Sequence, residues 1–154
     1  MSSGGLVLVG RFSGEEDLNP GPDTDTRIAA GVDEDAFVGA FDVDLRTVWI
    51  WTSGGPDAEG ATAVTSDGEG RIYVAIWTGT SSTLLAFAEG GGVMWTRLFP
   101  GIVDAMAARP PHGLLLAGRF FGEGDFDPGL GEDIRTPAAT PDTFVTRLTA
   151  DGTY

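Results

Sequence analysis

The sequence predicts an all-β chain built from repeated four-stranded antiparallel units, and three observations support this fold class. Residues 6–21 recur as residues 114–129 with ten of sixteen positions identical. Short apolar runs rich in β-branched and aromatic residues are bounded by Gly, Pro, Asp and Ser, which is typical of strands. Finally, 24 Gly and 9 Pro in 154 residues would interrupt most helices, and no stretch has apolar residues at helical spacing.

The middle of the chain contains the one complete unit. Its predicted strands cover residues 61–65, 72–77, 83–88 and 93–98, joined by Gly-containing turns at 66–70 and 89–92. Residues 41–49 align on 87–95 without a gap, and residues 8–14 align on 73–79 with aromatic on aromatic. The chain therefore carries three copies of one unit, of which the outer two are incomplete.

Two segments interrupt the outer copies. Residues 14–35 and 122–142 are acidic and rich in Gly and Pro, whereas the middle copy passes from Gly79 to Leu84 almost directly. We expect both inserts to be loops. The register resumes after them, because the Asp-x-Phe-Val motif at 35–38 returns at 142–145.

Three motifs carry a resemblance to a known family: Asp142-Thr-Phe-Val-Thr-Arg-Leu-Thr-Ala-Asp-Gly152, Ser66-Asp-Gly-Glu-Gly-Arg-Ile-Tyr-Val74 and Gly118-Arg-Phe-Phe-Gly-Glu-Gly-Asp-Phe-Asp-Pro-Gly129. They resemble the bacterial β-propeller repeats of large secreted or surface proteins. The resemblance implies β-propeller blades, each a four-stranded antiparallel meander, with a partial blade at 4–55, a complete blade at 61–99 and a partial blade at 102–154. The chain departs from the pattern at Ala88, which replaces an Asp in the last turn of the middle unit.

The same resemblance implies an extracellular or cell-surface location. No segment like a signal peptide precedes Leu6, so this expectation rests on the family alone.

About two and a half blades cannot close a propeller ring, which needs about four or more. Either the chain is a fragment of a longer array, or copies of it close a ring as a homo-oligomer, and we favour a head-to-tail dimer. Such a dimer would place residues 143–149 near the partner's residues 6–12. We expect burial of Phe144, Val145, Leu148 and the opposing Leu8 to drive it.

The composition excludes some partners. The formal net charge is −14, from 9 Arg, no Lys and 23 Asp plus Glu, and such a surface repels nucleic acid. No Cys is present, which excludes disulfides, thiolate catalysis and Cys-ligated zinc. No apolar run is long enough for a transmembrane helix.

The inserts contain the strongest candidate metal ligands. Asp125 and Asp127 in one insert, with Asp17 and Asn19 in the other, present oxygen atoms in a Gly-rich sequence that would suit Ca²⁺. Asp or Asn before Pro-Gly is also a turn signal, because the side chain accepts backbone N–H bonds. We favour the turn and keep calcium as the alternative; no other cofactor is indicated.

Candidate ligand-binding residues lie on the strands. Arg11 and Arg119 would suit an anion, although we favour ion pairs with carboxylates of the inserts or of an adjacent blade. Trp49 and Trp95 recur at one repeat position, which indicates packing between units. Trp51 and Trp77 are less constrained, and either one exposed to solvent would suit carbohydrate.

Catalysis has little support in the sequence. The single His, His112, lies in a turn between strands, without a recurring Ser or Asp partner. We therefore expect a non-enzymatic module with a structural or recognition role for a protein or glycan ligand. The alternative is a glycan-acting propeller hydrolase or a carbohydrate-binding propeller; two carboxylates converging beside an exposed Trp would indicate the hydrolase.

Overall fold

All regular structure is β in the computed structural model, which describes residues 5–31 and 33–154 and contains no helix there. The strands are β1 (Leu6–Phe12), β2 (Glu15–Asp17), β3 (Thr26–Ile28), β4 (Asp35–Phe41), β5 (Thr47–Thr52), β6 (Glu59–Ser66), β7 (Ile72–Thr78), β8 (Ser81–Phe87), β9 (Val93–Phe99), β10 (Ile102–Ala108), β11 (Leu114–Phe120), β12 (Gly124–Asp125), β13 (Ile134–Arg135) and β14 (Asp142–Leu148). The predicted all-β class is confirmed.

Ten of these strands form three antiparallel sheets. Sheet 1 has the order β1-β4-β5, sheet 2 the order β6-β7-β8-β9, and sheet 3 the order β10-β11-β14. The four-stranded antiparallel meander predicted for the middle unit is sheet 2, with strand bounds within two residues of those expected. The predicted first segment begins at Gly4, which lies outside the described residues.

The three sheets pack face to face with sheet 2 in the middle. Along β7, Ile72, Val74 and Ile76 face sheet 1, while Tyr73 and Ala75 face sheet 3. All five are buried. Since both faces of this strand are covered, its sequence is a continuous apolar run instead of an alternating one.

The strand pairing corrects one predicted alignment. Leu6 pairs with Phe41 and Ile72 pairs with Phe87, so residues 6–12 correspond to residues 72–78. The predicted match of residues 8–14 with 73–79 is wrong by one residue. It aligned aromatic side chains, whereas the hydrogen-bonded ladder sets the register, and a shift of one residue moves every side chain to the other face.

The two inserts are more ordered than the predicted loops. Each contains a short antiparallel ribbon, β2 with β3 in the first and β12 with β13 in the second. The second insert also sends Phe126 into the core, where it is fully buried. The acidic composition gave no sign of this order, because a single apolar side chain, Phe126, anchors the second insert.

The last turn of each sheet has the same backbone geometry. In sheet 2, the N–H of Ala88 donates to the carbonyl of Gly92 and the N–H of Gly91 donates back to Ala88, at 2.8 and 2.9 Å. The missing Asp at position 88 therefore removes a side-chain contact and leaves the turn intact. In sheet 1 the same turn contains Leu45 at φ 60°, a left-handed conformation that favours Gly.

The residues expected to drive dimer formation differ in burial. Phe144 and Leu148 are already buried inside the chain, against sheet 2, whereas Val145 and Leu8 are 72% and 40% exposed. The expectation that all four await a partner is thus wrong for Phe144 and Leu148. Alternate residues of β14 point to opposite faces, and only the outer face of sheet 3 is uncovered.

Candidate functional site: a cavity between the first two sheets

The two acidic inserts are built by the same hydrogen bonds. Oδ1 of Asp17 accepts the N–H groups of Asn19 and Asp25 at 3.0 and 2.9 Å. Oδ1 of Asp125 accepts the two corresponding N–H groups at 3.0 and 2.8 Å. Asn19 and Asp127 each accept one further N–H at 2.7 Å. These four side chains therefore brace their own turns.

Hydrogen bonds stabilise the charged form of two carboxylates in the inserts. The N–H groups of Asp25 and Asn19 lower the pKa of Asp17, and the Arg135 guanidinium and Tyr154 hydroxyl lower that of Asp133. Among the described residues, no three His, Cys, Asp or Glu side chains are grouped so that they could hold a metal ion. Calcium binding by the inserts stays a prediction.

Arg11, Trp77 and Arg119 occupy one register position in the three sheets. Arg11 lies 3.0 Å from Glu34 of the first insert, and Arg119 lies 3.6 Å from Asp104 on the neighbouring strand. The Trp77 indole donates to a backbone carbonyl two residues later. Arg11 thus has the insert carboxylate that we favoured, whereas the partner of Arg119 lies in its own sheet. A ligand role for these residues stays a prediction.

Trp49 and Trp95 join neighbouring sheets. Each indole donates to a carbonyl in the last turn of the next sheet, Trp49 to Glu89 at 2.9 Å and Trp95 to Ala150 at 3.2 Å. Each ring also lies over a glycine of that turn, where an added Cβ would come within 2.7 or 3.0 Å of the ring. The packing role expected for the recurring tryptophans agrees with these contacts.

Trp51, the other tryptophan of β5, borders a cavity of about 370 Å³ between sheets 1 and 2. This volume lies in the range of small-molecule sites, about 300–1,000 Å³. The ring is half-buried, with its edge on Phe87 at a centroid distance of 5.6 Å. The other lining residues are Ser53, Gly54, Gly55, Glu59, Ile76, Thr78, Thr83, Leu85 and Thr96.

The cavity exists because aromatic side chains are missing. At the corresponding place between sheets 2 and 3, four phenylalanines pack at centroid distances of 5.1 to 5.2 Å: Phe99, Phe120, Phe126 and Phe144. The strand registers place Ser53, Thr78 and Thr83 at three of these positions. The fourth belongs to the insert, which the middle unit lacks. Hydroxyl groups therefore line the space that phenyl rings fill elsewhere.

Glu59 is the one carboxylate at this cavity. It pairs across the ladder with Thr78 at the start of β6, so both side chains face sheet 1. Its Oε2 atom is buried and has no hydrogen-bond partner among the described residues. Gly55 leaves room for the carboxylate, since a Cβ there would lie 2.9 Å from Oε1. An unpaired buried carboxylate oxygen is costly, and the fold carries this cost at the wall of the cavity.

Sequence reasoning found Trp51 and missed the rest of this site. Glu59 lies just before the predicted strand 61–65. Ser53, Thr78 and Thr83 are recognised as replacements for phenylalanine only when the copies are aligned in the correct register. One difference between the copies indicates the cavity: Thr78 stands where both outer copies have Phe.

His112 lies in the predicted turn between β10 and β11. It lines a second cavity, of about 250 Å³, with Arg109 and Arg147. Within the described part of the chain its imidazole makes no hydrogen bond to a Ser or Asp side chain.

Comparisons with known proteins give no family: no protein-family model matches the chain, and no curated protein matches its sequence. No helix among residues 5–31 and 33–154 is long and apolar enough to cross a membrane.

Proposed function

We propose that the three sheets are blades of a β-propeller, and that the chain is a non-enzymatic module with a structural or recognition role. Copies of the chain pack head to tail and close the ring. Two copies would supply about five or six blades, within the usual range of about four to eight.

The observation that carries this proposal is the state of the two outer faces. Leu8 of sheet 1 corresponds to Val74 and Leu116, which are buried against the preceding sheet. Val145 of sheet 3 corresponds to Val38 and Leu84, which are buried against the following sheet. The outer faces thus expose the positions that the inner interfaces bury.

The two outer faces are complementary to each other and not to themselves. At each of the two inner interfaces, one sheet contributes the face that carries the counterpart of Val145. The next sheet contributes the face that carries the counterpart of Leu8. A contact between different faces propagates unless it closes into a ring. A ring also covers both apolar faces, which would otherwise favour uncontrolled association.

A non-enzymatic role is supported by the chemistry at the cavity. Hydrolysis of a glycosidic bond by the usual mechanism requires two carboxyl groups flanking the bond, and Glu59 is the single carboxylate in the lining.

The test is multi-angle light scattering of the intact chain and of two charged variants, Leu8→Asp and Val145→Asp. The intact chain should have a mass that is a multiple of 16.0 kDa. Each variant should dissociate to monomer, because a charge would be buried at the interface.

Val48→Asp is the matched control. Val48 is 57% exposed, and its counterpart in sheet 2, Met94, remains 53% exposed although that sheet has a neighbour. Position 48 should therefore stay in solvent after assembly, and the variant should keep the native mass. A monodisperse 16.0 kDa particle for the intact chain would refute the assembly.

A further inference from the structure

We propose that the cavity between sheets 1 and 2 is a binding site for a single saccharide residue of a glycan. The inference goes beyond the proposed assembly and does not depend on it, because every lining residue belongs to the first two sheets of one chain or to the segment that links them.

The combination of groups at the cavity suits a sugar ring. Trp51 offers a half-buried indole, and Ile76 and Leu85 supply apolar surface beside it. Such surfaces pack against the C–H faces of a ring, while polar groups placed around them set its orientation. One aromatic platform and a space of about 370 Å³ fit one sugar unit.

The polar groups at the cavity are available. The hydroxyls of Thr78, Thr83 and Thr96 make no hydrogen bond to any other residue in the described ranges, 5–31 and 33–154. Each can donate and accept, as sugar hydroxyls require. By contrast, the Ser53 hydroxyl already accepts the N–H of Ala36 at 2.8 Å, so it shapes the wall.

Glu59 supplies the strongest contact. Its Oε1 atom, which is not enclosed and makes no hydrogen bond within the described ranges, would accept a hydrogen bond from a sugar hydroxyl, and a bond to a charged acceptor is stronger than one between neutral groups. A carboxylate beside an indole would also suit a quaternary ammonium ion. The three free threonine hydroxyls favour the saccharide, because an alkylated ammonium group has no hydrogen bonds to offer them.

The comparison between the two interfaces also argues for function. Where sheets 2 and 3 meet, the same space is filled by phenyl rings, which stabilises the fold. Leaving it open between sheets 1 and 2 sacrifices that stability and retains an unpaired carboxylate oxygen. Binding sites commonly carry such costs.

The experiment is isothermal titration calorimetry of the intact chain with methyl glycosides of glucose, galactose and mannose, with N-acetylglucosamine, and with tetramethylammonium chloride. We expect at least one saccharide to bind with a dissociation constant near the millimolar range. Trp51→Ala and Glu59→Gln should each weaken that binding by about tenfold or more, since each removes a principal contact.

The decisive variant restores the missing aromatic side chains. Thr78→Phe combined with Thr83→Phe should fill the cavity, abolish saccharide binding and raise the melting temperature, so that the loss cannot be attributed to unfolding. Thr24→Phe, on an exposed loop, is the matched control and should leave binding unchanged.

Three outcomes would overturn the proposal. They are binding of tetramethylammonium with none of the saccharides, binding of neither class, and saccharide binding that persists in the filled variant. The mass of the chain in solution bears on none of them, so this test and the assembly test can fail separately.

Discussion

Replacing Phe126 by Ala should destabilise the fold far more than its place in an acidic insert suggests. The ring is fully buried and lies 5.1 to 5.2 Å from Phe99, Phe120 and Phe144. On its other side, the guanidinium of Arg135 lies 4.7 Å from the ring centroid. Phe126 therefore fills the interface between sheets 2 and 3 and anchors the insert there.

The magnitude follows from the size of the hole. Truncation of a buried Phe to Ala costs about 3–5 kcal/mol, because it removes apolar burial and leaves a cavity. For a chain of this length, 1 kcal/mol corresponds to about 2–4 °C, so the melting temperature should fall by roughly 10 °C. Urea unfolding followed by tryptophan fluorescence would measure the free energy directly.

Leu18→Ala is the matched control for this prediction. Leu18 occupies the same place in the first insert, but it is only partly buried in the single chain, so both truncations are compared in the Leu8→Asp background, where the proposed contact with another copy is absent. Its truncation should cost about 1 kcal/mol, less than that of a fully buried side chain. A loss below about 1 kcal/mol for Phe126→Ala, or equal losses at the two positions, would refute the role of the insert as a filler.

Three further predictions concern single sites. Leu45→Gly should raise the unfolding free energy by about 0.5–1 kcal/mol in thermal melts, because Leu45 has a φ of 60° and the left-handed conformation costs a non-glycine residue about 1–2 kcal/mol; a decrease would contradict it. Burial raises the pKa of Asp67, but the N–H of Glu69 and the Arg71 guanidinium outweigh it and lower the pKa. The ionised Asp67 therefore stabilises the folded chain above about pH 4, and this stabilisation is lost as the pH falls through the lowered pKa. Asp67→Ala should therefore flatten the acid limb of stability against pH, and an unchanged limb would exclude this residue as its source. Adding Ca²⁺ or a chelator should leave the melting temperature unchanged, whereas a bound ion would stabilise by about 2.7 kcal/mol at a hundredfold excess over its dissociation constant.

The fold of the middle unit could be predicted because its local signals agree. The turns at 66–70 and 89–92 allow positive φ, and the apolar runs between them have strand length. The alignment of β1 with its counterpart β7 could not be predicted. Phe12 and Trp77 invite alignment with each other, but the strand pairing shows that Phe12 corresponds to Thr78 and Trp77 to Arg11. A strand ladder is long-range information that one sequence does not carry.

The candidate site was predictable only in part. Trp51 is a candidate from sequence, together with Trp77, because both lie outside the recurring packing position of Trp49 and Trp95. The hydroxyl lining depends on the register, and the unpaired oxygen of Glu59 depends on three-dimensional burial. The filling role of Phe126 was also missed, since its neighbours in sequence are acidic and its partners lie on two different sheets.

Cross-linking between the two outer faces would show whether copies of the chain meet there. The chain has no Cys, so a double variant with Leu8→Cys and Val145→Cys carries thiols at these two positions alone. With a short bismaleimide, a closed head-to-tail dimer should give one product, a dimer joined at both contacts, and either single variant should stay monomeric. An unlinked double variant would contradict the contact between copies, and a ladder of higher oligomers would contradict ring closure.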